Sequence, residues 1–136
     1  MQLVAKNKNI LMYQDLIFKE ENYKIVGICM EVHRILGGGL AEIVYKDALE
    51  YEFQQNGIPH KREKEYPVPY KTIILPHKFY ADFVVYDNII LEVKAVSAII
   101  DDHIAQTINY IKLTKGRLGI IANFSNTSLQ HKRLVV

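Results

Sequence analysis

Phe79-Tyr80-Ala81-Asp82-Phe83-Val84-Val85-Tyr86, then Asp87-Asn88, then Ile89-Ile90-Leu91-Glu92-Val93-Lys94-Ala95: the reading of this stretch decides the fold. Its two flanks are rich in β-branched and aromatic residues and are separated by a turn dipeptide, so they read as neighbouring strands. Charges set in the middle of such runs cost several kcal/mol to desolvate unless something neutralises them. Two carboxylates and an ammonium brought together there describe a site for a hard divalent cation with a lysine beside it.

Strand geometry constrains this reading. Side chains alternate faces, so Glu92 and Lys94 point one way and Val93 the other. The turn decides whether Asp82 joins them. A two-residue Asp87-Asn88 loop pairs Tyr86 with Ile89, sets Asp82 across from Val93, and separates the acids. A three-residue loop, Tyr86-Asp87-Asn88, pairs Val85 with Ile89 and sets Asp82 across from Glu92. That loop wants its last residue in the left-handed region, which asparagine tolerates. The three-residue turn, or an equivalent bulge, is therefore predicted. The competing description is an edge hairpin with solvated charges and a simple Glu-Lys pair.

Outward from the hairpin, the chain has 136 residues, 49% of them hydrophobic, enough for one domain with a sizeable core. The formal net charge of +2 does not announce a nucleic-acid binder. Local basic clusters at Lys61-Arg62-Lys64, Lys112-Lys115-Arg117 and His131-Lys132-Arg133 offer phosphate contacts or ordinary solvated faces. The single cysteine, Cys29, excludes an internal disulfide framework and lies in an apolar helical stretch, as a buried inert thiol would. No cationic start followed by a long apolar run is seen, so neither signal peptide nor membrane span is expected, and a cytoplasmic location is the default.

Residues 1–15 show no clean period and read as a loosely attached arm; residues 16–136 read as a single domain. Ile25, Ile28 or Cys29, Val32 and Leu36 recur at helical spacing between Asn22 and Leu36, and Gly37-Gly38-Gly39 stops that helix. A second helix is predicted from Ala41 to Gln55, ended by Asn56-Gly57-Ile58-Pro59. Lys61 to Pro76 is strand-like but carries Pro67, Pro69 and Pro76, which suggests an edge or interrupted strand. After the hairpin, Asp101 or Asp102 caps a helix running to Thr114 with an Ile104, Ile108, Ile111 stripe. Leu118 to Phe124 is a short buried strand, and Leu129 to Val136 a candidate last one. A hairpin joined through a crossover helix to another strand implies a mixed sheet with helices packed on it.

Several of these residues, in this order, match a known pattern. Gly39-Leu40-Ala41-Glu42-Ile43-Val44-Tyr45 resembles the motif that names the GxxExxY proteins, a group within the PD-(D/E)XK nuclease-like superfamily. The resemblance extends to Glu31 through Gly37, to Asp82 with Glu92-Val93-Lys94-Ala95-Val96, to His103 through Tyr110, and to Gly119 through Phe124, covering roughly residue 20 to the C-terminus. Gly38 stands where the group usually has a proline, a change expected to loosen the interhelix turn without touching the chemistry. The resemblance implies an α/β (α+β) restriction-endonuclease-like core, a mixed four-stranded sheet flanked by helices. It implies that Asp82 and Glu92 are metal ligands and Lys94 the motif lysine. It makes Glu42 the additional acid and gives the helix after the core strands a Gln106-Tyr110 motif.

The expected chemistry is metal-dependent hydrolysis of nucleic-acid phosphodiesters, with Mg2+ or Mn2+ bound by Asp82, Glu92, the carbonyl of Val93 and Glu42. Lys94 would orient the attacking water or stabilise developing negative charge. Glu42 and Tyr45 share a helix face, with Tyr45 read as a packing or hydrogen-bonding neighbour. Gln106 and Tyr110, one turn apart, either touch the substrate backbone and position Lys94 or are an ordinary polar residue and ring at a helix edge. His33 reads as a satisfied structural histidine, and His103 as a phosphate neighbour or a surface residue. Partners would be DNA or RNA, with a homodimer plausible for cutting both strands. The alternatives are a nuclease-fold module that binds nucleic acid without turnover, and a protein-interaction domain.

Overall fold

In the computed structural model, which describes residues 18–136, helix α1 (Lys19–Leu36) buries Ile25, Val26, Cys29, Val32 and His33 along one stripe. The loosely attached arm expected at residues 1–15 lies outside the described residues. Helix α2 (Glu42–Gln55) buries Tyr45, Lys46, Leu49 and Phe53. Between the helices, Gly39 takes φ +91°, a region that residues with a Cβ rarely adopt. Gly38 approaches the Ser125 backbone so closely that a Cβ there would lie 2.4 Å from its carbonyl oxygen. The Tyr45 hydroxyl donates to the Gly37 carbonyl (2.7 Å) and accepts from the Leu40 N–H (3.1 Å), while its ring stacks on Phe124 at 4.7 Å. The looseness expected from Gly38 is therefore not found: the absent side chain lets the turn pack against the chain after Phe124, and Tyr45 pins it.

The strands follow as β1 (His60–Tyr66), β2 (Pro69–Tyr70), β3 (Ile73–Ile74), β4 (Phe79–Val85) and β5 (Ile89–Lys94). Helix α3 (Asp101–Leu113), β6 (Leu118–Asn123) and β7 (Gln130–Val135) complete the chain. The main sheet has the order β1-β4-β5-β6-β7, with only β5 and β6 parallel. That parallel pair is joined through α3, as a parallel connection requires. The expected mixed sheet flanked by helices is present, with five strands rather than four. Pro67 lies just past the end of β1, and Pro69 opens the separate β2–β3 hairpin, which accounts for the interruption.

Two hydrophobic layers cover the sheet. Leu91, Val93 and Ile120 pack with α1 and α2 on one side, while Ile90 and Ile121 pack with Ile111 of α3 on the other. Neither Asp101 nor Asp102 caps α3; both lie in its first turn, where their charge suits the helix dipole. The cap position is Ile100, whose N–H donates to Nδ1 of His103 at 3.1 Å. His103 thus closes the first turn of the helix.

Val85 pairs with Ile89, so the β4–β5 loop has the three residues expected. Its left-handed residues are Tyr86 (φ 52°) and Asp87 (φ 64°), not Asn88. Two successive positive φ values match the right-handed twist of the strands, which overrides the preference of asparagine. The β4–β5 ladder then stops at Phe83–Leu91. Beyond it β4 runs on beside β1 to Phe79, and β5 runs on beside β6 to Lys94. The sheet forks there. Residue alternation also breaks: Phe83 and Val85 face α1 and α2, whereas Ala81 and Val84 face the α3 layer. Opposite the break, Glu63 of β1 takes φ 52°.

Gly38→Ala is expected to destabilise the chain by about 1–3 kcal/mol, because the obstructing atom is backbone and has little freedom to move. Gly27→Ala in α1, with nothing within 4 Å of its Cβ, is expected instead to stabilise by about 0.5–1 kcal/mol. Paired thermal unfolding curves check both signs.

Candidate active site

The fork gathers charge because Asp82 replaces a strand partner with its own side chain. Its Oδ2 accepts the Val93 N–H at 2.8 Å, bridging the gap where the ladder has ended. Its Oδ1 accepts from Lys46 Nζ at 3.0 Å, and the same ammonium bonds the Glu63 carboxylate. Burial works to lower the Lys46 pKa, but the bonds to Glu63 and Asp82 outweigh it and hold the ammonium above its ordinary value.

Glu92 is 5% exposed. One of its oxygens, Oε1, is buried without a hydrogen-bond partner. Burial, then the hydrogen bond and charge of Asp82, push its carboxyl up to about 9, against the opposing pull of Lys94 and Lys46. Glu42, the first residue of α2, is raised by burial and by Asp82, with Lys94 and Lys46 pulling the other way. Tyr110 is raised by burial and then by Glu92 and Asp82; its ring stacks on Phe79 at 4.4 Å. Acids from α2, β4 and β5 therefore share one electrostatic environment, with Lys94 half-buried beside them.

Of the residues singled out in the sequence, Glu42, Asp82, Glu92 and Lys94 converge, and Tyr110 borders them. Val93 contributes its N–H to Asp82 while its side chain lies in the core. Gln106 is exposed on α3, away from the buried face of that helix. His33 donates through Nε2 to the Asn126 carbonyl at 2.7 Å, a structural role. Cys29 is buried, its thiol pushed up to about 12 by desolvation, and is inert. A cavity of about 490 Å³, lined by residues including Tyr23, Gly27, Ile58 and Tyr86, includes none of the acids.

Lys46 and Glu63 were not foreseen. Lys46 follows Glu42 by one turn and sits on the buried stripe with Leu49 and Phe53, so a lysine at an apolar position was the available signal. Glu63 had none, since it depends on a left-handed residue within a strand.

Among the described residues no three acids, histidines or cysteines stand close enough to cage a metal ion as the side chains lie. At Asp82 the neighbouring positive charge is the Lys46 ammonium. The donors nevertheless fit a hard divalent cation: all are oxygens, they come from three elements, and Oε1 of Glu92 is buried and unpartnered. Soft or imidazole-seeking metals have no donors here.

The raised Glu92 has a sign that can be measured. The folded, metal-free chain keeps this proton up to about pH 9, whereas the unfolded chain releases it near 4.5. Its stabilising share is therefore full below the lower value and is lost as pH rises through the upper one. With chelator present, Glu92→Gln is expected to melt higher than the parent by a margin of several degrees that grows across this window. A margin that shrinks with rising pH contradicts the assignment.

A family model for the PD-(D/E)XK nuclease superfamily matches residues 19–134. Among solved structures, the crystal structure of SSO0001 is similar, with TM-score 0.53 and 16% identity over 68% of this chain. That likeness concerns the fold; the match spans 48%, about half, of the SSO0001 chain. No curated protein matches. Among the described residues no helix is long and apolar enough to cross a membrane. With a match over nearly all of the described residues, and acids gathered where two strands part, this chain belongs to the PD-(D/E)XK nuclease superfamily.

Proposed function

We propose that the chain is a Mg2+- or Mn2+-dependent nuclease of the GxxExxY group, hydrolysing phosphodiester bonds of DNA or RNA. The observation that carries this reading is the buried, unpartnered Oε1 of Glu92 beside Asp82 in the fork. A carboxylate oxygen left without a partner costs free energy that a bound cation returns.

Asp82, Glu92, the Val93 carbonyl and Glu42 would hold the ion. When bound, a divalent ion of this kind acidifies water and polarises phosphoryl oxygens. The Val93 N–H fixes the rotamer of Asp82, so this acid is oriented before any ligand arrives. Lys94, whose charge acts on both Glu42 and Glu92, is placed to orient the attacking water or stabilise negative charge on the phosphoryl group. Tyr110, anchored by Phe79, presents its hydroxyl at the rim, and exposed Gln106 one turn earlier is free to meet the substrate backbone. The small basic excess suits a phosphate-bearing substrate met through local contacts. Cutting both strands of a duplex would call for two copies.

Labelled single- and double-stranded DNA and RNA, incubated with the full chain and Mn2+, test the proposal. Hydrolysis is expected, falling about 100-fold or more in Asp82→Asn and in Lys94→Ala. Hydrolysis that survives Asp82→Asn, or salt-sensitive binding with no cleavage of any substrate, overturns it.

A further inference from the structure

One buried charge takes no part in the chemistry proposed above. The Lys46 side chain is 9% exposed and lies between Asp82, 13% exposed, and Glu63, 48% exposed. It grows from the core-facing stripe of α2, one turn after Glu42. Glu63 meets it from a left-handed position in β1, at the one level inside the β1–β4 register where no Cα pair forms. A glutamate rarely adopts that backbone conformation, so the chain bends an edge strand to bring a second carboxylate to this lysine.

We propose that Lys46 is a resident counter-cation for Asp82, which an arriving divalent ion must displace, and that Glu63 is the carboxylate that keeps the lysine once Asp82 is taken. This rests on the metal reading given above. While Lys46 occupies Oδ1 of Asp82, its charge repels a second cation and uses one of the ligand's lone pairs. When the ion takes Asp82, Lys46 retains Glu63, so no buried ammonium is stranded. Ion affinity is then a difference between two cations competing for one carboxylate. Lys46 is a positioning residue in this scheme, and Glu63 sets how readily it yields.

The two partners predict opposite signs, which a merely structural pair would not produce. Mn2+ is titrated calorimetrically into the full chain after chelator treatment. Lys46→Met is expected to lower the Kd for Mn2+ by about tenfold or more, since it frees Asp82 and removes a like charge. Glu63→Gln, at a half-exposed position that tolerates the change, is expected to raise the Kd several-fold, because Lys46 is left with Asp82 alone. In chelator, Lys46→Met is also expected to melt below the parent and to gain more from added Mn2+.

Unchanged or weakened Mn2+ binding in Lys46→Met overturns this inference and leaves the metal site standing. So does a Glu63→Gln variant that binds as tightly as the parent, a result available even where Lys46→Met does not fold. Absence of Mn2+ binding in the parent and both variants overturns the inference and the metal reading together.

Discussion

The hydrogen bond from the Val93 N–H to Asp82 Oδ2 is the contact on which the rest of the site depends. Two strands that part leave backbone groups without partners, and a buried N–H in that state is costly. A carboxylate is the strongest acceptor available to meet it, at about 1.5–3 kcal/mol for a bond to a charged group. The same bond draws an acid into the sheet interior. Where strand pairing ends, the chain thus acquires a fixed anion, and every neighbouring charge is arranged around that anion.

Those neighbours form a balance. Glu92 keeps its proton because it is buried beside Asp82, while Lys46 donates to Oδ1 of Asp82. Glu42 stands at the start of α2, where the dipole favours an anion, yet it feels Asp82 across the cleft. The fork therefore holds more acid than its own lysines neutralise comfortably, and the orphaned Glu92 oxygen marks where the shortfall lies. A bound cation would settle the account.

Much of this was legible in the residues. Alternation across Ile89–Lys94 placed Glu92 and Lys94 on one face, and the choice of a three-residue turn set Val85 opposite Ile89. Helical spacing picked out Ile25, Cys29 and Val32 of α1 and Ile111 of α3, which are buried, whereas Leu36, Ile104 and Ile108 are only partly so. What failed depended on tertiary context. Asn88 lost the left-handed position because strand twist favours positive φ earlier in the loop. Gly38 looked like slack because the sequence does not show the Ser125 backbone lying against it. Lys46 was passed over because a lysine on a helix is usually solvated, and only the fold reveals a carboxylate waiting at its tip. Strand parting leaves its trace in β4, where Ala81 and Phe83 face opposite layers, but both are apolar and their spelling does not show it.

The seven-residue stretch from Gly39 to Tyr45 divides by purpose. Gly39 serves backbone conformation and Tyr45 ties down the loop through its hydroxyl, so only Glu42 faces the acids. A descendant could keep the first and last letters of this signature, and with them its architecture, after its chemistry had lapsed. Under the metal reading proposed above, only the middle letter of this stretch reports on chemistry, and the outer two report on the fold.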